Sequence, residues 1–276
     1  MKSIYLSVCI LFMASCKEEN ETTIKMEQNI NKQIVIDFYK KIIGEQDLEY
    51  ARKIVTENYI QHNPQVKTGK DGFLEAIEFL KKMPKPKNPT KPFMRIIADN
   101  EYVVAHLSVE FGNHKKIVLD MFRLENGLIA EHWDAIQDKS EISLNGNSEI
   151  EGPILIENEK ATLQNKKIVS DFTEQVLIGG NFELLESFVS TDLIQHNPKI
   201  NHGLKSFEQY YQKMRIQKVH RIIGQGNFVV TQSKSTINKK DFVFYDIYRL
   251  NNGLIIEHWA VSQIIPKVMA HNNGMI

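Results

Sequence analysis

Residues 123–134, RLENGLIAEHWD, return as residues 249–260, RLNNGLIIEHWA, and this pair of segments decides the fold. In each segment an Asn-Gly pair, Asn126-Gly127 or Asn252-Gly253, separates two runs of alternating apolar residues, which is the strongest short signal for a β-hairpin. The second segment lies 126 positions after the first (258 − 132 = 126). The sequence therefore predicts one small domain written twice, each copy ending in the same hairpin.

The repeat extends upstream of the hairpin. Gln61-His62-Asn63-Pro64 recurs as Gln195-His196-Asn197-Pro198, here at an offset of 134 positions (196 − 62 = 134). The second copy is thus shorter by eight residues (134 − 126 = 8), and the first copy has a proline-rich stretch at 84–92 in the interval. A surface loop of this kind can shorten without disturbing a core.

Length and charge set the broad class of protein. The 276 residues suit two domains, because one core usually serves about 100 to 150 residues. Lysine plus arginine (34) balance aspartate plus glutamate (34), so the net charge favours neither nucleic acid nor an anionic surface as a partner. We predict no nucleic-acid partner.

The N-terminus has the pattern of an export signal. Lys2 precedes an apolar run over 4–14 that is too short to span a bilayer as a mature helix. Met13-Ala14-Ser15-Cys16 resembles the lipobox of bacterial lipoproteins, which implies lipidation of Cys16 and a membrane as partner. A signal peptide cut near Ala14, or a free N-terminal cysteine, is the alternative.

The residues after Cys16 predict where the protein is located. Residues 17–23 are polar and aperiodic, as in a flexible tether, and they resemble the acidic signal that sends some lipoproteins to the outer cell surface; a merely soluble tether is the alternative. We expect lipid anchoring in the bacterial cell envelope, at the outer membrane, with surface exposure. Cys9 is in the part removed, so the folded part is expected to contain no disulfide.

The predicted organisation has six parts. They are a signal peptide (1–15), a tether (16–28), domain 1 (29–138), an exposed linker (139–161), domain 2 (162–265) and a tail (266–276).

Within domain 1 the periodicity changes from helix to strand. Helical spacing predicts helices over 31–43, 47–55 and 70–82, followed by strands over 94–98, 102–111, 116–125 and 128–137. Helices first and an antiparallel meander after them indicate an α+β class, with the helices packed on one face of a curved sheet.

Alternation along the last two strands places several polar residues on one face. His132 and Asp134 share a face, and the hairpin brings Asp120 beside them. We expect His62 to join them from the loop between helices. A histidine and two acids in an apolar concavity make a candidate site.

These residues resemble a known family. Tyr59-Ile60 with the 61–64 motif, Gly69, Asp120 to Leu124, Asn126-Gly127 and Glu131 to Asp134 are similar to the SnoaL-like group of the nuclear transport factor 2-like superfamily, across nearly all of both copies. The resemblance implies a cone-shaped fold with a deep pocket, and founding members that are polyketide cyclases using aldol chemistry without metal or cofactor. It also implies that Asp134 matches their catalytic aspartate.

The second copy departs from this pattern because Ala260 stands where the first copy has Asp134. We therefore place catalysis in domain 1, with domain 2 as a structural or binding partner. The catalytic candidates are Asp134, His132, His62 and Asp120, and the ligand-binding candidates are His106, Phe122, His196, Asp246 and His258.

The expected function is binding of a small, largely apolar carbonyl compound, with cofactor-free proton abstraction by Asp134 leading to aldol closure, isomerisation or dehydration. The alternative is a non-catalytic ligand-binding or interaction module of the envelope. In that interpretation Asp134 pairs with Arg123 or caps a strand, and the histidines belong to the core. A metal is a further alternative, but no spaced histidine motif supports one, and we predict none.

The opposite face of the last strand carries Trp133 and Glu131, repeated as Trp259 and Glu257. In relatives this face often makes a dimer contact. We predict that the two copies pack sheet to sheet as an internal pseudo-dimer that buries both tryptophans; the alternative is that each tryptophan is an ordinary surface or core residue. Arg123 is expected to pair with Glu131 across the hairpin, as a structural link.

Overall fold

The computed structural model describes residues 22–82, 94–111 and 114–276. The predicted lipidation site at Cys16 and the whole proline-rich stretch at 84–92 lie outside these ranges. No described helix is long and apolar enough to cross a membrane.

Helix α1 covers 22–37 and continues into a wider π turn. It therefore includes 22–28, which the sequence analysis assigned to the tether. The later elements follow in the predicted order, and all of the predicted strands are present. The elements are the π turn Phe38–Gly44, α2 Leu48–Ile54, β1 Val55–Gln61, α3 Gly69–Lys82, β2 Met94–Asp99, β3 Tyr102–Phe111, β4 His114–Glu125 and β5 Leu128–Asp138.

Domain 2 repeats this order. Its first helix, α4, again ends in a π turn, and its second helix is reduced to one turn after a short 3₁₀ segment. The elements are α4 Thr162–Phe172, the π turn Thr173–Ile178, α5 Leu185–Phe188, β6 Val189–Gln195, α6 Leu204–Lys213, β7 Ile216–Gln225, β8 Phe228–Ile237, β9 Lys240–Asn251 and β10 Leu254–Ile264. The predicted α+β class is confirmed in both halves.

Each half has one five-stranded sheet, in the orders β1-β5-β4-β3-β2 and β6-β10-β9-β8-β7. Four strands of each sheet form the predicted antiparallel meander. The fifth strand corrects the prediction, because β1 pairs with β5 in parallel and β6 pairs with β10 in the same way. The sequence analysis predicts no strand over 56–61, because the middle of β1 is polar and faces solvent at the sheet edge.

The hairpins turn where the sequence places them. Asn126 and Gly127 have φ values of 51° and 76°, and Asn252 and Gly253 have 48° and 81°. Two consecutive positive φ values define the type I′ turn that matches strand twist, and this turn fixes the register between β4 and β5.

One face of each sheet packs against the helices of its own half and forms a separate core. The other faces of the two sheets share a single buried cluster, which contains Trp133 and Trp259, both with no solvent-exposed surface. Aromatic side chains of this size each bury about 150–250 Å². This shared cluster joins residues of both halves.

Polar contacts between the two sheets occur in reciprocal pairs. The backbone N–H of Ala98 donates to Gln225 at 3.0 Å, and that of Gly224 donates to Asp99 at 2.9 Å. At the other end of the sheets the N–H groups of 136 and 262 donate to Gln263 and Gln137, at 2.7 and 2.9 Å. Each contact recurs 126 positions later with the two halves exchanged.

The segment predicted as an exposed linker is partly buried. Glu149 and Ile150 are 4% and 7% exposed, whereas Ile142 and Leu155 are well exposed. Glu149 accepts hydrogen bonds from Gln137 and from the backbone of Ser140, which fixes this part of the connection against domain 1.

Candidate functional site

A cluster of three titratable side chains lies on the helix-facing side of the domain 1 sheet. Asp120 comes from β4, and His132 and Asp134 come from the adjacent strand β5. Potential ligand atoms of the three residues lie within 4.8 Å of one another, and all three residues are buried. Strand alternation and the hairpin register bring them together, because Asp120 is directly opposite Asp134 in the ladder.

His132 is held by hydrogen bonds at both ring nitrogens. Its Nδ1 lies 3.0 Å from Oε1 of Gln61, and its Nε2 lies 3.1 Å from Oδ1 of Asp120. The Gln61 oxygen also accepts from the backbone N–H groups of His62 and Asn63, which fixes the orientation of the amide. Nδ1 must therefore carry a proton, and a further proton lies between Nε2 and Asp120.

The Asp120 carboxylate favours the charged imidazole. Burial alone would lower the pKa of His132, but the hydrogen bond and negative charge of Asp120 outweigh burial and raise this pKa above its usual value. The Asp120 carboxyl group therefore stabilises the protonated form of His132.

Tyr39 completes the pair, and sequence reasoning did not identify it. Tyr39 lies in the π turn that follows α1, and its hydroxyl donates to Oδ2 of Asp120. Burial, followed by the charge of Asp120, raises the pKa of Tyr39 well above its usual value, so the phenol keeps its proton. No sequence signal marks Tyr39, because the second copy has Thr173 at the equivalent position.

Asp134 is the least satisfied member of the cluster. Its Oδ2 accepts a hydrogen bond from Nδ2 of Asn63 at 2.5 Å, while its Oδ1 is buried and has no hydrogen-bond partner among the described residues. Burial raises the pKa of Asp134 to about 6; His132 opposes this rise and the negative charge of Asp120 adds to it. A carboxyl group with this pKa is largely ionised at pH 7 and is a stronger base than an ordinary aspartate.

Asn63 and Gln61 are functional candidates that the sequence analysis mentioned only as part of the 61–64 motif. Asn63 also makes the expected local bond, with Oδ1 accepting from the N–H of Gln65 at 2.9 Å. Its amide nitrogen is thereby aimed at Asp134. Recurrence of the whole motif in both copies was the available signal for this role.

Phe122 lies on the same face as the cluster. Its ring centroid is 4.8 Å from that of His132, and it packs against Phe38 and Tyr39. The structure therefore places this ligand-binding candidate beside the polar cluster.

His62 does not join the cluster, which corrects the expectation. Its ring stacks on Trp133 at 4.7 Å, on the opposite face of the sheet. Its Nδ1 and Nε2 lie 2.9 and 2.8 Å from the Gly274 carbonyl and from Glu131. The cause is the parallel strand β1, which directs the side chain after Gln61 to the outer face.

Glu131 holds both His62 and Arg123. Arg123 Nε donates to Glu131 at 2.8 Å, as expected for a structural link. Burial alone would raise the pKa of Glu131, but the hydrogen bonds from His62 and Arg123 outweigh it and lower the pKa. Among its described contacts, Asp134 makes none with Arg123.

His106 also lies on the outer face and not in the site. It pairs with Arg95 at 2.8 Å, and Arg95 stacks over Trp259 of domain 2 at 4.0 Å. Burial and the Arg95 charge hold the pKa of His106 well below its usual value. The expectation failed because alternation on β3 puts His106 opposite Leu119, one position off the Asp120 face.

Domain 2 keeps most of the network without the base. His258 Nδ1 lies 2.8 Å from Gln195 Oε1, and its Nε2 lies 3.0 Å from Asp246. The phenol that donates to Asp246, at 2.7 Å, belongs to Tyr211 on α6. The two copies thus supply an equivalent hydroxyl from different helices, and Ala260 occupies the position of Asp134.

The two networks differ in access to solvent. The side chains of His132 and Asp120 are each 11% exposed, whereas those of His258 and Asp246 are 0% and 1% exposed. Tyr248 replaces Phe122 and stacks on His258, so larger side chains fill the second network. Of the two networks, the first has the additional carboxyl group of Asp134 and is the more exposed to solvent.

His196 corrects a further expectation, because it mirrors His62. It stacks on Trp259 at 4.6 Å, and its Nε2 lies 2.8 Å from Glu257. Two open clefts of about 500 and 420 Å³ also lie on domain 2, but they are formed by the helices and β7 and contain none of the predicted site residues.

Asp120, His132 and Asp134 are also close enough to offer oxygen and nitrogen ligands to one metal ion. A cation bound there would replace the proton between His132 and Asp120 and would compete with the Tyr39 hydroxyl.

Comparisons with known proteins identify the first half. Residues 33–142 match the family model described as SnoaL-like polyketide cyclase. No curated protein gave a significant match.

Several solved structures are similar over about one domain. A putative ketosteroid isomerase from Kribbella flavida is 14% identical, with 37% of this chain and 80% of that chain covered and a TM-score of 0.34. IdmH, a putative polyketide cyclase from Streptomyces antibioticus, is 17% identical, with 36% of this chain and 92% of that chain covered and a TM-score of 0.32. An LEH-like epoxide hydrolase from M. tuberculosis is 18% identical, with 37% of this chain and 84% of that chain covered and a TM-score of 0.32.

The family match and the repeated elements lead to one identification. Residues 33–142 are a SnoaL-like domain, and the chain carries this domain followed by a second copy of its fold.

Proposed function

We propose that domain 1 binds a small, largely apolar carbonyl compound and that Asp134 removes a proton from the carbon next to the carbonyl. The observation that carries the proposal is Oδ1 of Asp134, which is buried close to His132 and has no hydrogen-bond partner in the described part of the chain. SnoaL-like domains bind small molecules, and the known relatives include proteins described as cyclases and isomerases.

The charges around Asp134 suit this reaction. Proton abstraction next to a carbonyl develops negative charge on the carbonyl oxygen, and the His132 imidazolium supplies a fixed positive charge within 4.8 Å of the base. Asp120 and Gln61 hold the imidazole in its charged form and in one orientation. Aldol closure, isomerisation and dehydration all begin with this step, and the proposed step needs neither metal nor cofactor.

A non-catalytic binding role is the alternative. It is favoured by the hydrogen bonds that Tyr39 and His132 already make to Asp120, since both donors are occupied without a ligand. Under this alternative the cluster is a polar element of the core, and the protein is a ligand-binding or interaction module.

The same proposal includes location. The lipobox-like residues ending at Cys16 and the polar tether support a lipoprotein held at the cell envelope, at the outer membrane. Exposure at the cell surface rests on the acidic residues that follow the cysteine.

We further propose that the two domains act as an internal pseudo-dimer. The shared cluster around Trp133 and Trp259 supports this arrangement, as do the reciprocal hydrogen bonds between the sheets. Two arginines add to it, because Arg95 stacks over Trp259 and Arg221 stacks over Trp133 at 4.2 Å. Each tryptophan is therefore covered by an arginine of the other domain.

Ligand capture tests the function directly. Immobilised protein is incubated with a cell extract, and retained molecules are identified by mass spectrometry for wild type, Asp134→Asn and the matched domain 2 variant Asp246→Asn. We expect wild type and Asp246→Asn to retain the same compound, and Asp134→Asn to retain its unreacted precursor. Adding a metal chelator to the incubation is expected to leave the compounds retained by all three proteins unchanged.

Two outcomes would count against the catalytic proposal. An identical compound on all three proteins would favour the binding alternative, and no small molecule on any of them would favour an interaction role. Loss of retention with the chelator would instead indicate a metal at Asp120, His132 and Asp134.

A further inference from the structure

The repeat continues beyond both sheets into two short arms. The connecting arm, 142–150, follows domain 1, and the terminal arm, 268–276, follows domain 2 at the same offset of 126 positions. Their sequences, ISLNGNSEI and VMAHNNGMI, share little, so only the structure shows that they are equivalent.

The terminal arm crosses to domain 1 and holds the QHNP loop, residues 61–64. Four hydrogen bonds join the arm to each residue of the loop in turn. The Ala270 N–H donates to the Pro64 carbonyl at 2.8 Å, and His271 Nε2 donates to the Asn63 carbonyl at 2.9 Å. Asn273 Nδ2 donates to the carbonyl of Gln61, and His62 Nδ1 donates to that of Gly274, both at 2.9 Å.

The connecting arm makes the same four bonds to domain 2. Leu144 donates to the Pro198 carbonyl at 2.9 Å, and Asn145 donates to that of Asn197 at 2.7 Å. Asn147 donates to the carbonyl of Gln195 at 3.1 Å, and His196 donates to that of Ser148 at 2.7 Å. Each domain therefore has its loop held by the arm of the other domain.

The loop leads directly to the site in domain 1. The backbone carbonyl of Gln61 accepts from Asn273, while its side-chain oxygen faces His132 Nδ1. The carbonyl of Asn63 accepts from His271, while its amide nitrogen donates to Asp134. Gln61 therefore links the terminal arm to His132, and Asn63 links the arm to Asp134.

We propose that the terminal arm is a positioning element of the domain 1 site, which is incomplete without this arm from domain 2. By fixing Gln61 and Asn63, the arm sets the orientation of the His132 ring and the direction of the Asp134 carboxylate. The inference rests on the proposed function only in calling the cluster functional; the geometry itself can be tested without a substrate.

The pseudo-symmetry supplies a crossed control. Asn273→Ala removes the bond to the Gln61 carbonyl, and Asn147→Ala removes the equivalent bond to Gln195. Nitrogen NMR of the full mature chain at one fixed pH then records the ring-nitrogen signals of His132 and His258, which report the hydrogen bonds to Gln61 and Gln195. Thermal unfolding of each variant checks that the fold is retained.

We expect Asn273→Ala to shift the ring-nitrogen signals of His132, because a loosened Gln61 oxygen holds the proton on Nδ1 less firmly. The ring-nitrogen signals of His258 are expected to stay unchanged in this variant. Asn147→Ala is expected to shift the signals of His258 and to leave those of His132 unchanged. Removal of 268–276 should enlarge the His132 shift.

Three results would overturn the inference. The first is an unchanged His132 ring signal in Asn273→Ala. The second is an equal shift of the ring signals of both histidines in either variant. The third is that the signal of each histidine responds to the arm that follows its own domain. A correct crossed pattern together with failed ligand capture would leave the positioning role intact and reject only the proposed function.

Discussion

Replacing Asp134 with asparagine is expected to slow exchange of the ligand's α-proton by about 10²–10⁴-fold, the usual contribution of a positioned general base. Asparagine keeps the shape of the side chain and can still accept the hydrogen bond from Asn63, so the change removes basicity with little loss of packing. Exchange is measured as loss of deuterium from the α-carbon of the compound recovered by ligand capture.

The matched control for this prediction is Asp246→Asn. It alters the equivalent network of domain 2, which lacks a base because Ala260 stands in place of Asp134. The control is expected to leave the exchange rate unchanged. An Asp134→Asn protein that exchanges as fast as wild type would contradict the assignment of the base, whereas a loss confined to KM would indicate a binding role.

Removal of either buried tryptophan is expected to cause the largest loss of stability. Trp133 has no exposed surface, packs in the cluster shared by both sheets and stacks on His62. Trp133→Ala should lower the free energy of unfolding by about 3–5 kcal/mol, as is typical for aromatic truncation in a core. Trp259→Ala should have a similar effect, because its surroundings repeat those of Trp133.

A double-mutant cycle separates contact between the domains from ordinary core packing. Arg221 of domain 2 lies over the Trp133 ring at 4.2 Å, and a coupling of about 0.5–2 kcal/mol is expected between them. The control cycle pairs Arg221 with Trp259, whose stacking partner is Arg95. Zero coupling between Arg221 and Trp133 would contradict the internal pseudo-dimer.

Much of the fold was predictable because its signals are local. The Asn126-Gly127 turn fixes a hairpin register, and period-two alternation then places Asp120, His132 and Asp134 on one face. The parallel edge strand β1 was missed, because its pairing with β5 depends on a contact between residues about 70 positions apart. A polar edge strand of seven residues has no strong pattern of its own.

The remainder of the site depends on tertiary placement. Tyr39 and Tyr211 reach equivalent carboxylates from different helices, so comparison of the two copies cannot reveal either of them. His62 and His196 were assigned to the wrong face because the loop was expected to point inward. Stacking on Trp133 and Trp259 and pairing with Glu131 and Glu257 hold these histidines outside instead.

The polar networks of the two domains therefore differ. Domain 2 retains the histidine, the aspartate and a tyrosine, but its network is sealed and has no base. Its terminal arm nevertheless holds the loop that carries Gln61 and Asn63. Under the proposed positioning role, the second copy contributes part of the first copy's site although it lacks an equivalent of Asp134.

The pKa of Asp134 tests the central claim most directly. Carbon NMR of the side-chain carboxyl, followed from pH 3 to pH 8, is expected to give a value of about 6, raised by burial and by Asp120. Because this pKa lies above the ordinary value of 3.8, ionised Asp134 opposes folding, and its cost increases as the pH rises from about 4 to about 6. Asp134→Asn should therefore be more stable than wild type at pH 7 and similar to it at pH 3. A pKa of about 4, with equal stability of both proteins at pH 7, would contradict a buried base in domain 1.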